Sequence, residues 1–306
     1  MRLGATTPEA ANLAHVEDVT RALREASYIA DRGLATAVFL ALKAERPLLL
    51  EGPAGVGKTE VAKALARTLG RRLIRLQSYE GLDAGHALYE WDYARQLLHA
   101  RLHTLVEDDS SGPGSTIENA ERALYSERFL LERPLLAAVR AGSGAVLLID
   151  ELDRADHEFE AFLLEFLADF AVTIPELETI RAESPPLVVI TSNRTRELHD
   201  ALKRRCLFHW IDYPSAEREQ AIIELRVPGI APALAAGVAQ AVGRLRSIGL
   251  VKPPGAAEAV DWARALALLG ADVVSSEAAH DSLGWVVKSV EDLRTVRAQL
   301  DAILDD

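Results

Sequence analysis

One stretch of eight residues restricts the possible folds of this chain more than any other feature: it reads GPAGVGKT, at positions 52–59. It matches the phosphate-binding pattern G-x-x-x-x-G-K-[ST]. The short apolar run 47–50 before it predicts a buried strand, and the apolar residues at positions 61, 62, 65, 66 and 69 after it have helical spacing. The pattern therefore lies between a strand and a helix, as a phosphate-binding loop requires.

The residue types of this loop suit a nucleoside triphosphate with Mg²⁺. Glycines let backbone N–H groups approach phosphate oxygens, and the start of the following helix adds positive partial charge. Lys58 can reach the β- and γ-phosphates, and the Thr59 hydroxyl can bind Mg²⁺. A glycine-rich turn that binds nothing is the disfavoured alternative. The predicted nucleotide contacts are Gly52, Pro53, Ala54, Gly55, Val56, Gly57, Lys58, Thr59 and Glu60.

Composition limits the class of protein. The length of 306 residues predicts about two domains. Because 49% of the residues are hydrophobic, the chain can bury a full core. The net charge of −12 argues against a nucleic-acid partner, which needs clustered Lys and Arg. The one cysteine, Cys206, excludes a disulfide framework. No apolar run approaches the ~18 residues that span a bilayer, and the N-terminus does not read as a secretory signal. We therefore expect a cytoplasmic protein without a membrane span.

Strand and helix patterns alternate up to about residue 213, and mainly helical patterns follow. We predict an N-terminal arm at 1–24, an α/β nucleotide-binding domain at 25–213 and a helical lid domain at 214–306. Within the α/β domain we expect insertions at 77–125 and 171–182, the second a hairpin. The predicted strands are 47–50, 72–76, 145–149, 187–191 and 207–211.

The first helical pattern runs from Val19 to Ala44. A helix there can pack beside the phosphate loop. Tyr28 and Ile29 could then border the adenine, although plain core packing is the simpler interpretation of either residue alone.

An acidic pair, Asp150-Glu151, follows the buried strand 145–149. Ligands of parallel sheets bind at this end of the strands. Asp150 is predicted to hold Mg²⁺, and Glu151 to orient and deprotonate the attacking water. The chain lacks the N-K-x-D guanine motif and the L-S-G-G-Q run of transporter ATPases. These features favour hydrolysis of ATP to ADP and phosphate.

A possible metal site lies on the helical pattern that begins at residue 89. His99, His103 and Glu107 stand at i, i+4 and i+8, a spacing that can bind a metal. A solvated helix face is the favoured interpretation.

The sequence resembles the AAA+ ATPases and, within them, the MoxR family. Four short motifs carry this likeness: GPAGVGKT (52–59), VLLIDELDRAD (146–156), VVITSN (188–193) and ALKRRC (201–206). Two longer stretches, 124–140 and 159–182, are most similar to the CoxD-type branch, the accessory ATPases of carbon monoxide dehydrogenase.

The resemblance implies a P-loop fold with a parallel five-stranded sheet in the order 5-1-4-3-2 and a C-terminal helical lid. It also implies a homo-oligomeric ring, usually a hexamer, with ATP between subunits. Asn193 matches the sensor-1 position, which helps to place the lytic water. Arg205, with Arg204 beside it, matches the arginine finger that reaches the γ-phosphate of the neighbouring subunit. Helix-end cations are the alternative interpretation of both arginines.

One position departs from the family pattern. A sensor-2 Arg is expected where this chain reads KPPGAAE, at 252–258. Lys252 or Arg264 could substitute, and the sequence does not decide between them.

Family members act with a von Willebrand factor A-domain partner. The resemblance therefore implies a chaperone that hydrolyses ATP to remodel a client metalloenzyme, for metal-cofactor maturation of a molybdenum hydroxylase or CO dehydrogenase. A slow nucleotide-gated binding module that switches partners is the alternative, and the missing sensor-2 Arg favours it.

Overall fold

A computed structural model of the protein describes residues 13–106 and 124–304. Residues 1–12 of the predicted arm, residues 107–123 of the predicted insertion, and with them Glu107, lie outside the described residues. Among the described residues, no group of three His, Cys, Asp or Glu could hold a metal ion. No helix in these two ranges has the length and apolarity needed to cross a membrane.

The strands of the described residues are short and mostly apolar. They are β1 (Leu48–Glu51), β2 (Arg72–Gln77), β3 (Tyr89–Trp91), β4 (Leu130–Glu132), β5 (Ala145–Asp150), β6 (Ala171–Thr173), β7 (Thr179–Arg181), β8 (Leu187–Ser192) and β9 (Leu207–Trp210).

The main sheet has five parallel strands in the order β2-β5-β8-β1-β9. Numbered along the chain, these five strands read 2-3-4-1-5, which is the predicted order 5-1-4-3-2 taken from the other edge. The α/β fold class is therefore confirmed. Every residue of β5 and β8 is buried, as expected of central strands covered on both faces.

The described helices make up most of the C-terminal part of the chain. They are α1 (Val16–Glu25), α2 (Arg32–Ala44), α3 (Lys58–Thr68), α4 (Ala84–Leu88), α5 (Tyr93–Val106), α6 (Pro134–Ala141), α7 (His157–Asp169), α8 (Asp200–Arg205), α9 (Ala216–Arg226), α10 (Pro232–Ser247), α11 (Ala256–Leu268), α12 (Ser276–Ser282) and α13 (Val290–Leu304).

The prediction of one helical stretch from Val19 to Ala44 was wrong. Helix α1 begins three residues earlier, within the predicted arm, and ends at Glu25. Ser27 has a positive φ of 61°, and the N–H of Tyr28 bonds back to the Leu23 carbonyl at 2.8 Å. This turn stops the helix before α2 begins.

The chain divides into two compact units. One combines Met1–Leu40, Leu50–Gly70 and Phe208–Asp306, and the other combines Ala41–Leu49 and Arg71–Leu207. The predicted domain boundaries near residues 24 and 213 remain predictions.

In the second unit, β5 pairs in parallel with β2 and β8. Helices α6 and α7 bury their apolar faces in the same core, with Leu136 and Phe159 at most 2% exposed. The predicted 171–182 hairpin is confirmed in its pairing, because β6 and β7 are antiparallel with Val172 opposite Ile180. Cys206 is a free thiol, and burial raises its pKa to about 12.

In the first unit, helices α9 to α13 share a separate apolar core. Trp262 lies within it at 1% exposure, and its indole N–H donates to the Ser282 hydroxyl at 2.8 Å. Without this bond, burial of the indole N–H would cost free energy, because the group would lose its hydrogen bond to water.

Ser282→Ala should therefore lower the free energy of unfolding by about 1–3 kcal/mol, because the indole N–H is left buried without an acceptor. Urea unfolding followed by circular dichroism measures the change. Ser247→Ala is the matched control: its hydroxyl bonds to the Arg244 carbonyl at an exposed site. It should cost less than about 0.5 kcal/mol. Equal losses in both variants would contradict the assignment.

Candidate active site

The phosphate loop connects β1 to α3 in the first unit. Gly57 is the last loop residue and has a φ of 92°, which side chains on L-residues rarely tolerate. A methyl group there would lie 3.6 Å from the ring of Tyr28. Helix α3 begins at Lys58, so its first backbone N–H groups, which have no partner within the helix, lie at the loop. This is a cradle for an anion.

The Lys58 ammonium is held by carbonyl groups of the phosphate loop. Its side chain is 6% exposed and donates to the carbonyl oxygens of Gly52, at 2.7 Å, and Pro53, at 2.6 Å. A cation held within the loop suits the binding of phosphate. Thr59, the second residue of α3, offers a hydroxyl oxygen, a donor type that Mg²⁺ accepts.

Glu60 is tied to the helical part of its unit. It accepts from Lys63 at 2.7 Å and from Arg226 at 2.9 Å. Burial alone would raise the pKa of this carboxyl, but the two cations outweigh burial and lower it. Arg226, at the end of α9, was not among the predicted residues.

The segment between α1 and α2 lies beside the loop. Tyr28 is 8% exposed, and burial raises the pKa of its hydroxyl. Arg218 of α9 donates to the Ile29 carbonyl at 2.9 Å and to Asp31 at 2.6 Å. The ring of Tyr28 lies beside Gly57 of the loop, and its place at the border of the base stays a prediction.

The acidic pair lies in the second unit, at the end of β5. Asp150 is 1% exposed. Its Oδ1 accepts from the Thr191 hydroxyl at 2.6 Å, and its Oδ2 accepts from Arg75 at 3.0 and 2.6 Å. A buried carboxylate requires such partners.

Glu151 has a left-handed backbone, with φ 54° and ψ 50°. Strained backbone of this kind is concentrated at functional sites. Its Oε2 accepts from the Gln77 amide at 3.1 Å, and its Oε1 lies 3.4 Å from the Asn193 amide nitrogen. Two side-chain amides therefore orient the carboxylate, and the predicted residues Asp150, Glu151 and Asn193 are brought together.

The sequence reasoning missed Arg75 and Gln77. Arg75 and Gln77 are two positions apart on β2, so their side chains point to the same face of the sheet. Gln77 is paired with Asp150 in the β2–β5 register. The spacing of these two polar residues on a predicted strand, together with the predicted strand order, would have indicated both.

Asp153 is a third acid that was missed. It accepts from the N–H groups of Asn193, at 3.1 Å, and Thr195, at 2.9 Å, and from the Thr195 hydroxyl at 2.7 Å. Burial alone would raise the pKa of Asp153, but these hydrogen bonds outweigh it and hold the pKa below its usual range. Asp153 therefore fixes the loop that carries Asn193.

Arg204 and Arg205 form the exposed last turn of α8. The Arg205 guanidinium donates to the carbonyl of Leu164 in the same unit.

The two candidate sensor-2 substitutes are exposed residues of the first unit. Arg264 pairs with Asp261 at 3.3 Å on α11. The residue of this region that donates to the phosphate loop is instead Ala257, whose N–H bonds to the Gly55 carbonyl at 3.2 Å.

Comparison with known proteins agrees with this description. A family model described as "ATPase family associated with various cellular activities (AAA)" matches residues 48–211. This range begins with β1 and ends just after β9.

Individual relatives are distant. A 217-residue stretch is 26% identical to YeaC of Bacillus subtilis (strain 168), which is described as an uncharacterized protein. It covers 69% of this chain and 55% of YeaC, so the chain spans about half the length of that relative.

Among solved structures, a point mutant of Thermotoga maritima RuvB is similar with a TM-score of 0.52 and 19% identity, over 92% of this chain and 79% of that chain. A RuvB structure described as a Holliday junction branch migration motor has a TM-score of 0.46 and 17% identity, over 94% of this chain and 76% of that chain. Likeness at such identity concerns the fold.

Asp153→Asn should lower the free energy of unfolding at pH 7 by about 1.5–3 kcal/mol, because the bonds to a charged acceptor are lost. The folded-state pKa is depressed, so the contribution is complete above the unfolded value of about 3.9 and is lost as pH falls through the folded pKa. Urea unfolding at several pH values should show the difference shrinking below about pH 4. The exposed pair Asp169–Arg181 supplies the control: Asp169→Asn should change stability by less than about 1 kcal/mol. A pH-independent loss in Asp153→Asn would refute the role of its charge.

Proposed function

Because the chain belongs to the AAA family of ATPases, we propose that it binds ATP with Mg²⁺ and hydrolyses it to ADP and phosphate. The observation that carries this proposal is the carboxylate of Glu151, held by the amides of Gln77 and Asn193 next to the buried Asp150. A kinase would need a pocket for a second substrate in place of a water-activating acid.

The proposed roles follow from the contacts of each residue. The loop N–H groups and Lys58 would bind the phosphates. Thr59 and Asp150 would each offer an oxygen to Mg²⁺, which when bound would neutralise charge on the phosphate oxygens. Glu151 accepts the proton of the attacking water. Asn193 is proposed to contact that water as well.

We further propose that hydrolysis drives remodelling of a partner protein in the MoxR manner. The partners would be a von Willebrand factor A-domain adaptor and a client metalloenzyme undergoing cofactor maturation. The motif resemblance supports this proposal, and the insertions at 77–125 and 171–182 are the proposed contact regions. A nucleic-acid motor, which one RuvB structure is described to be, is disfavoured by the net charge of −12.

A slow nucleotide-gated switch is the second candidate. It is favoured by one observation: Arg264, one of the two candidate substitutes for the sensor-2 Arg, is exposed and pairs with Asp261. Turnover measured with and without an adaptor separates the two candidates, since a remodelling enzyme should be stimulated.

The divided roles predict different defects in two variants. Lys58→Ala should abolish ATP binding, because the phosphates lose their main cation. Glu151→Gln should retain binding but lower turnover by about 10²-fold or more, because only the base is lost. Phosphate release and equilibrium binding of ATP measure the two effects. Glu165→Gln on α7, at an exposed position, is the matched control and should behave as wild type. Undiminished turnover in Glu151→Gln would contradict the proposed role of Glu151 as the general base.

If the chain forms the proposed ring, two inactive variants should regain ATP turnover when their subunits are mixed. We propose that Arg205 acts on ATP of the neighbouring subunit, and loss of such a finger costs on the order of 10³ in rate or more. Arg205→Ala and Lys58→Ala should each be inactive. Mixed, they should regain activity at interfaces that pair an intact loop with an intact arginine.

The matched control is Lys203→Ala, which removes a cation from the same short helix and should leave turnover unchanged. If mixed oligomers form without activity, Arg205 does not act between subunits. Arg204→Ala is then the next variant to mix, because it shares the exposed last turn of α8.

A further inference from the structure

In the first unit, the start of α11 lies directly on the backbone of the phosphate loop. A methyl group on Gly255 would stand 2.6 Å from the Cα of Gly55 and 2.9 Å from the Ala54 carbonyl oxygen. These distances are shorter than any side chain can adopt beside backbone atoms. Only glycine at position 255 therefore permits this contact, which involves main chain on both sides.

Hydrogen bonds fix the contact in one arrangement. The N–H of Ala257 donates to the Gly55 carbonyl at 3.2 Å, using one of the N–H groups that the first turn of a helix leaves free. Glu258, in the same turn, accepts from the Gly255 N–H at 3.0 Å. The glutamate thus holds the residue that touches the loop.

Glu258 also brings a negative charge to the loop. A methyl group on Gly55 would lie 2.8 Å from the Glu258 Oε2, so the carboxylate is in contact with the loop backbone. The loop is the proposed site of the phosphates, which are anions. An acid at this point opposes their binding, whereas the expected sensor-2 Arg would favour it.

The segment before Gly255 is anchored to the rest of the helical part. Arg246 of α10 donates to the Pro254 carbonyl at 2.8 Å, and its guanidinium makes two bonds to Glu219 of α9, at 2.8 and 2.6 Å. It also lies 4.4 Å from the centre of the Tyr213 ring, just before α9. Arg246 therefore fixes the position of this segment relative to α9 and α10.

We propose that Gly255 and Glu258 are positioning residues that set the nucleotide affinity of the phosphate loop. This inference rests on the proposed function. Gly255 sets the distance of α11 from the loop by packing, and Glu258 sets the charge next to the loop.

Two variants separate packing from charge. Glu258→Gln keeps the length of the side chain and an oxygen that accepts from Gly255, but removes the charge. ATP should bind about threefold to tenfold more tightly, and the gain should shrink at high salt. Gly255→Ala displaces α11 from the loop, and its affinity for ATP should change at least threefold.

Each variant has a control. Asp261→Asn removes an exposed charge from the same helix. Gly243→Ala adds a methyl group to α10 where nothing lies within 4 Å. Both controls should bind ATP as wild type does, and thermal unfolding should confirm that all four variants are folded.

The experiment is calorimetric titration of the full chain with ATP and Mg²⁺ at low and high salt, with turnover measured alongside. A salt-dependent gain in Glu258→Gln alone, with altered affinity in Gly255→Ala, supports the proposal. Wild-type affinity in both variants, or an equal gain in Asp261→Asn, overturns it. If the wild-type chain binds no ATP, the proposed function itself fails, and that outcome is distinct from failure of the inference.

Discussion

Complete burial of β5 and β8 is the constraint on which the second unit depends. Strands covered on both faces can carry only apolar side chains along their length, so polar groups are confined to their ends. Asp150 and Thr191 occupy those ends, and each satisfies the other by a hydrogen bond of 2.6 Å. The chemistry of the candidate site is therefore concentrated where the apolar core stops.

Buried acids in this region are held by donors from neighbouring strands and loops. Arg75 reaches Asp150 from β2, Gln77 reaches Glu151, and the loop after β8 donates to Asp153. Because these donors lie on β2 and on the loop after β8, the position of each acid depends on how β5 pairs with its two neighbours. A shift in strand register would separate Gln77 from Asp150, its partner in the β2–β5 ladder.

The first unit has to hold helices against a loop in which three of the eight residues are glycine. It does so by main-chain contact at Gly55 and Gly255 and by arginines of the helical part, such as Arg218 and Arg226. Glu219 is buried and pairs with Arg246, whose side chain is 10% exposed, and breaking such a pair is costly because it leaves a buried charge without its partner. These contacts fix the helical part to the loop and to the helix that follows it.

The sequence by itself determined the phosphate loop, the strand after which the acidic pair stands and the hairpin at 171–182. Each is a local pattern, readable from neighbouring residues, and the family resemblance supplied the strand order. Only the tertiary structure decided the partners of the acids and the break after α1. It alone also decided the contact between Gly55 and Gly255, which lie about two hundred residues apart. Hydrogen bonds and close packing between distant segments depend on how strands and helices meet in space, and no local pattern records that.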